Sequence, residues 1–187
     1  MKQIIINKNV LYLLLLGGTI GPVLDGIHVY SETLAYRTPA VLRTAIWVFP
    51  LFASSAVGIG LSYVLFDQLF QRKKITLSYP FVASGLVVFM IIYFISGFWN
   101  TDTQTKTLTL ALLSVVFWWI WDRSWPGAFL ALNTAVVGCV VEVLIASTGG
   151  FYYLKPDIST IPYWLFFLYI PASISVGNLS RKLYQNH

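Results

Sequence analysis

The sequence predicts an all-α polytopic membrane protein, one domain in which six transmembrane helices form a bundle. Three observations carry that prediction. Hydrophobic residues make up 57% of the 187-residue chain and charged ones only 10%, against about 25% charged in a soluble domain, so the chain cannot cover a water-facing surface. The apolar residues fall in continuous runs close to the roughly 20 residues that a helix needs to cross the hydrocarbon core. A membrane barrel would show alternating segments of about ten residues instead. The Lys and Arg residues sit between those runs, as in the loops of a helical membrane protein. They do not gather into the basic patch that nucleic-acid binding requires, so no nucleic-acid partner is expected. The single Cys, Cys139, excludes an internal disulfide and a Cys-based zinc site.

The first span runs from Val10 to Ile27 and holds Gly17, Gly18, Gly21 and Pro22. Lys2 and Lys8 before an apolar run mimic a signal peptide, but Gly17-Gly18-Thr19-Ile20 is a poor cleavage site. The segment therefore reads as a retained helix. The second span, Thr44 to Phe66, and the third, Tyr79 to Trp99, carry no charge. The fourth, Lys106 to Trp121, is short. Asp122-Arg123-Ser124-Trp125-Pro126 then makes a tight turn, with Pro126 placed to open the next helix. Spans four and five are thus an antiparallel hairpin. The fifth, Gly127 to Thr148, is interrupted by Glu142 alone, and the sixth runs from Ile161 to Ser180. The longest connection, 149–160, reads as a loop.

With a cytoplasmic N-terminus, Lys2, Lys8, Arg72, Lys73, Lys74, Arg123, Arg181 and Lys182 face inward, and Arg37, Arg43, Lys106 and Lys155 face outward. The positive-inside rule then puts both termini in the cytoplasm. Arg72-Lys73-Lys74 is the segment best suited to anionic headgroups. Trp47, Trp99, Trp119, Trp121, Trp125 and Trp164 fall near helix ends, as an interfacial belt. Gly17 with Gly21, Ala56 with Gly60, and Ser173 with Gly177 are small pairs four apart. Such pairs let helices approach closely and mark contact faces.

Ionisable groups at membrane depth are costly and point to function. Asp25 and His28 lie three apart in the first span, and Glu142 lies in the fifth. Asp25 is fifteen residues past Val10 and Glu142 fifteen past Gly127, so both reach about 22 Å from the same end. Asp25, His28 and Glu142 can therefore form a polar cluster: a titrating group, an anchor for a ligand headgroup, or a cation site. The alternative leaves Asp25 and His28 in interfacial water and Glu142 bonded to a neighbour. A second group, Asp67, Asp122, Arg123 and Arg181, gathers at the inner end. Asp122 at a helix C-terminus is disfavoured by the dipole. It needs either an ion pair, with Arg123 or Arg181, or a contact to another protein. No catalytic motif, phosphate loop or metal-ligand spacing is present, so neither an enzyme nor a cofactor is expected.

The stretch 108–123, LTLALLSVVFWWIWDR, followed by Ser124 and Gly127, resembles the fourth span of the Insig (insulin-induced gene) family, with its Trp118-Trp119 pair ahead of Asp122-Arg123. Trp47, Val48, Pro50, Gly60, Leu61, Tyr63 and Asp67 in the second span, Pro156-Asp157, and Trp164, Leu165, Gly177, Asn178, Arg181 and Leu183 in the sixth extend the resemblance over residues 10–184. It implies an Insig-like six-helix bundle and a non-catalytic role. Animal members retain the sterol-sensing partners Scap and HMG-CoA reductase in the endoplasmic reticulum, and the family aspartate that Asp122 matches matters for partner binding. The resemblance thus implies an integral membrane partner held through Asp122 and Arg123. It also implies a membrane lipid (a sterol, an oxysterol or a diacylglycerol-like molecule) near spans three and four, with Val87, Val88, Phe89, Thr105 and Thr109 as its walls. The chain looks like a short, prokaryotic-type member. It carries ionisable groups where animal members have amides, at Asp25, His28 and Glu142, which implies a different polar ligand or a pH response. The expected function is a lipid-binding regulator in the cell membrane of a prokaryote or the endoplasmic reticulum of a eukaryote. The competing reading is a small transporter or channel using Asp25, His28 and Glu142.

Overall fold

The computed structural model describes residues 8–70 and 76–185. It contains six helices: α1 (Lys8–Tyr30), α2 (Val48–Leu69), α3 (Tyr79–Phe98), α4 (Thr103–Trp121), α5 (Trp125–Ser147) and α6 (Trp164–Gln185). Two three-residue strands, β1 (Leu34–Tyr36) and β2 (Phe151–Tyr153), pair antiparallel, with Leu34 opposite Tyr153 and Tyr36 opposite Phe151. Arg72, Lys73, Lys74, Lys2 and His187 lie outside the described residues.

Each predicted span is a helix, with boundaries moved by local chemistry. The second starts at Val48 rather than Thr44, because the Thr44 amide and hydroxyl both close a turn onto the Val41 carbonyl. The third and fourth are capped by Ser78 and Asp102, whose side chains accept from the amides of Phe81 and Thr105. The fifth is capped by Ser124 with a proline in its first turn, the arrangement expected from the Asp122–Pro126 turn. Arg123 sits in that turn at φ 56°.

Four helices, α1, α2, α3 and α5, are long and apolar enough to cross a membrane by length and composition. The other two fall short for identifiable reasons. Helix α4 opens on the polar run Thr103-Gln104-Thr105-Lys106-Thr107. Helix α6 is the hub of the bundle, in contact with all five other helices. It therefore needs no lipid-facing apolar surface and buries Ser173, Ser175, Asn178, Ser180, Arg181 and Lys182. Pro171 inside α6 cannot donate to the Phe167 carbonyl. The Ser114 hydroxyl of α4 lies 2.7 Å from that carbonyl and 2.7 Å from the Leu110 carbonyl, so its one proton is shared between them.

The small pairs are contact faces within the chain. Gly17 and Gly21 pack on Phe52 and Ala56 of α2, Gly60 meets Ser180, and Gly177 lies against the Tyr63 ring. The β ribbon replaces what reads in sequence as plain loop. It joins the α1–α2 connection to the α5–α6 connection and buries Leu34, Phe151 and Tyr153. The bundle thus has a ribbon end and, opposite it, the end where α2, α4 and α6 finish together around Arg181. Of the tryptophans expected in an interfacial belt, Trp119 and Trp125 are exposed, the latter 83%, whereas Trp164 is buried beside the ribbon.

Candidate functional site: an acidic-ended cavity

A cavity of about 530 Å³ lies inside the bundle. Its walls come from α1, α2, α5 and α6, with one side from α3, and the ribbon residues Leu34, Tyr36 and Phe151 line one end. The close approach of α1 to α2 through glycine, and the central seat of α6, leave this space between them. Helix α4 contributes nothing to it. Most of the lining is apolar: Leu13, Ile20, Leu24, Phe52, Met90 and Leu168 are representative. The ionisable acids and bases on the wall, among the described residues, are Asp25 and Glu142, and no Lys, Arg or His lines it.

Both carboxyls are held by tyrosine hydroxyls. Tyr36, on β1, donates to Asp25 Oδ2 at 2.6 Å. Tyr153, on β2, donates to Glu142 Oε2 at 2.5 Å, and Tyr169 of α6 donates to Glu142 Oε1. Each strand of the ribbon therefore supplies one phenol to one carboxyl. Neither carboxyl forms a salt bridge among the described residues. Outside the helices, burial pushes the Tyr153 hydroxyl well above its usual range, with the charge of Glu142 adding to the effect. Tyr153 is thus a proton donor to Glu142 and never its counter-charge.

The expected trio of Asp25, His28 and Glu142 is split. Asp25 and Glu142 share the cavity, but His28 does not line it. Three residues past Asp25 is about 60° round the helix, which turns His28 to α3. Its Nε2 lies 2.9 Å from the Ser96 hydroxyl, which itself donates to the Tyr93 carbonyl at 2.7 Å. The serine proton is thus committed, so Nε2 is the donor and the imidazole is that tautomer. The ring stacks on Tyr93 at 4.2 Å and is 1% exposed. His28 ties α1 to α3.

At the opposite end the second predicted group closes into a network. Arg181 grips Asp67 bidentately, Nε to Oδ2 at 2.7 Å and Nη2 to Oδ1 at 2.8 Å. Its Nη1 donates to Asp122 Oδ2 at 3.2 Å and to Asn178 Oδ1 at 3.0 Å. Asp122 accepts from Ser124 at 2.5 Å, and its side chain is 0% exposed. Of the two pairings open in the sequence, Arg181 is the one formed. Arg123 points out, its guanidinium 4.2 Å over the exposed Trp119 ring. Asp122 therefore braces the α4–α5 turn from inside, while Arg123 is the accessible member of the expected partner-binding pair.

Of the five residues expected to wall a lipid site, Phe89 lines the cavity. Val88 packs half-buried against the core, Val87 is 54% exposed on the outer face of α3, and Thr105 and Thr109 lie on α4 away from the space. The sequence does not single out the tyrosines of the site, Tyr36, Tyr153 and Tyr169. The one cue was the alternation in Phe151-Tyr152-Tyr153, whose first and third residues are buried.

Comparison with known proteins settles the relationship. A family model described as Insulin-induced protein (INSIG) matches residues 8–184. The chain belongs to the Insig family. Its membrane-length apolar helices make it an integral membrane member. Among the described residues, no group of three or more His, Cys, Asp or Glu could hold a metal ion. The chain is similar to Insulin-induced gene 1 protein of Bos taurus, 30% identical over 145 residues, which is 76% of this chain and 52% of that protein. It is 28% identical over 178 residues to Insulin-induced gene 1 protein of Danio rerio, covering 92% of this chain and 71% of the relative. The chain thus spans about half the length of the bovine Insig. The Insig homologue MvINS of Mycobacterium vanbaalenii has a crystal structure that superposes with a TM-score of 0.83 at 18% identity, over 97% of this chain and 95% of the other. A cross-linked trimer of MvINS matches equally well. At that identity the likeness establishes the Insig fold.

Proposed function

We propose that this Insig-family chain is a lipid-binding regulator whose six helices all cross the membrane, with both termini cytoplasmic. The lipid occupies the cavity between α1, α2, α5 and α6, and its presence governs association with an integral membrane partner. The cavity carries this reading. Its volume falls within the range of small-molecule sites, about 300–1,000 Å³, and an apolar lining ended by a few polar groups suits a molecule with one polar head. A sterol and a diacyl lipid both have that form. The orientation rests on the balance of Lys and Arg between the loops.

Regulation follows from where the cavity lies. Its walls include Tyr63, which bonds the Gly127 carbonyl at 3.2 Å and sits under the Arg181 guanidinium at 4.6 Å. An occupant that favours one arrangement of α2 and α6 biases the α4–α5 turn by its differential affinity. Arg123, with Trp119 and Trp125, is the surface that turn offers to a partner. The carrier reading loses one of its three residues, because His28 is committed to Ser96.

Lipid extraction from the purified protein followed by mass spectrometry tests the proposal. One enriched lipid species near one per chain is expected. Bulk membrane composition refutes it.

A further inference from the structure

The polar end of the cavity has a third member besides the two carboxyls. Tyr93 of α3 lines the cavity and is 9% exposed, and among the described residues its hydroxyl has no hydrogen-bond partner. It lies within electrostatic range of both Asp25 and Glu142. As a member of the cavity wall, that hydroxyl is open to an occupant, which can complete its hydrogen bonding. The other hydroxyls around it are spent: Tyr36 on Asp25, Tyr153 and Tyr169 on Glu142. What this end offers an occupant is therefore two carboxyls and one phenol oxygen, all able to accept. Among the described residues no cation lines the space to offset two acids.

We infer that the cavity is built for a lipid whose head is a primary ammonium on one or two hydrocarbon chains. The inference rests on the lipid-binding reading above and adds the head chemistry to it. An ammonium has three donors and no acceptor, matching acceptors on Asp25, Glu142 and Tyr93. It also supplies the positive charge that buried carboxylates need. A hydroxyl head supplies one donor and no charge. A phosphate or carboxylate head would set like charges together. The apolar walls running toward Leu13 and Tyr63 take the chain, so a free small amine fills only the polar end.

Binding of oleylamine, oleyl alcohol and butylamine to the detergent-purified protein, followed by native mass spectrometry at neutral pH, tests this. Oleylamine is expected to bind at least about tenfold more tightly than oleyl alcohol, since charge-assisted bonds are roughly twice as strong as neutral ones. Butylamine is expected not to bind. The Asp25→Asn, Glu142→Gln double variant should lose the amine preference while still binding the alcohol. Tyr93→Phe, which removes only the unbonded hydroxyl, should weaken oleylamine selectively and keeps the test open if the double variant does not fold. Equal binding of alcohol and amine, or an amine preference untouched by these variants, overturns the inference and leaves the lipid cavity standing. Butylamine binding as well as oleylamine also overturns it. Failure of both long-chain ligands to bind overturns the cavity reading as well.

Discussion

Replacing Arg181 by Leu should be the most damaging single change at the α2–α4–α6 end. The guanidinium makes two bonds to Asp67, one to Asp122 and one to Asn178. Leucine fills much of the volume but leaves two carboxylates facing one apolar side chain. Their exposures set the sizes. Asp67 keeps 23% of its side chain in contact with the surroundings, whereas Asp122 keeps 0%. Removing one partner of a buried pair costs about 3–5 kcal/mol, and Asp122 is such a case. Asp67→Asn removes a partly exposed charge while Arg181 retains Asp122, so about 1 kcal/mol is expected. Asp122→Asn should fall between, because Arg181 keeps its bidentate grip on Asp67. Asp122→Ala should therefore destabilise the fold itself, not only a partner contact. Thermal or denaturant unfolding in detergent, followed by tryptophan fluorescence, reads this order, since Trp118, Trp119, Trp121 and Trp125 cluster at this end. An Arg181→Leu protein as stable as the parent, or Asp67→Asn as the worst variant, would refute the reasoning.

Gly127→Ala would drive its Cβ into the Asp122 carboxyl, whereas a Cβ at Gly58 meets nothing within 4 Å. The first should lower stability sharply and the second should raise it by up to about 1 kcal/mol of helix propensity; the reverse order in a thermal melt would count against the packing described. Ser114→Ala strands the Phe167 carbonyl that Pro171 cannot satisfy, with an expected loss of about 1–3 kcal/mol, and a melt within error of the parent would show that the carbonyl finds another donor. Asp102 is held below its usual value of 3.8 by the hydroxyl and amide of Thr105. Its folded value is the lower one, so its support for the start of α4 is present above 3.8 and fades as pH falls through the folded value. Hydrogen exchange at the start of α4 should show fraying that appears only in acid, and Asp102→Ala should remove that pH dependence by fraying at every pH; exchange that is independent of pH in the parent would refute the assignment.

The helices were legible because apolar runs of membrane length have few other solutions, and the Asp122–Pro126 turn because cap and proline chemistry is local. The equal depth of Asp25 and Glu142 was legible too, since it needs only the helix rise. Rotation was not: three residues placed His28 on a neighbouring face, and the sequence holds no sign that Ser96 would claim it. The wall of the cavity was hidden for a similar reason. Val87, Thr105 and Thr109 are as suitable in type as Phe89, and only the packing of α6 against the other helices decides which of them face inward. The ribbon escaped notice because three-residue strands carry almost no periodicity. With it went Tyr36 and Tyr153, which have no function in the sequence until a strand pair delivers them to two carboxyls.

Photo-crosslinking tests the central claim most directly. A long-chain lipid bearing a diazirine in its tail, incubated with the purified protein and mapped by peptide mass spectrometry, should mark residues of the inner walls such as Leu13, Phe52, Met90 and Leu168. Labelling confined to the outward side chains Val87, Leu108, Leu112 and Val115 would mean that the lipid only coats the bundle.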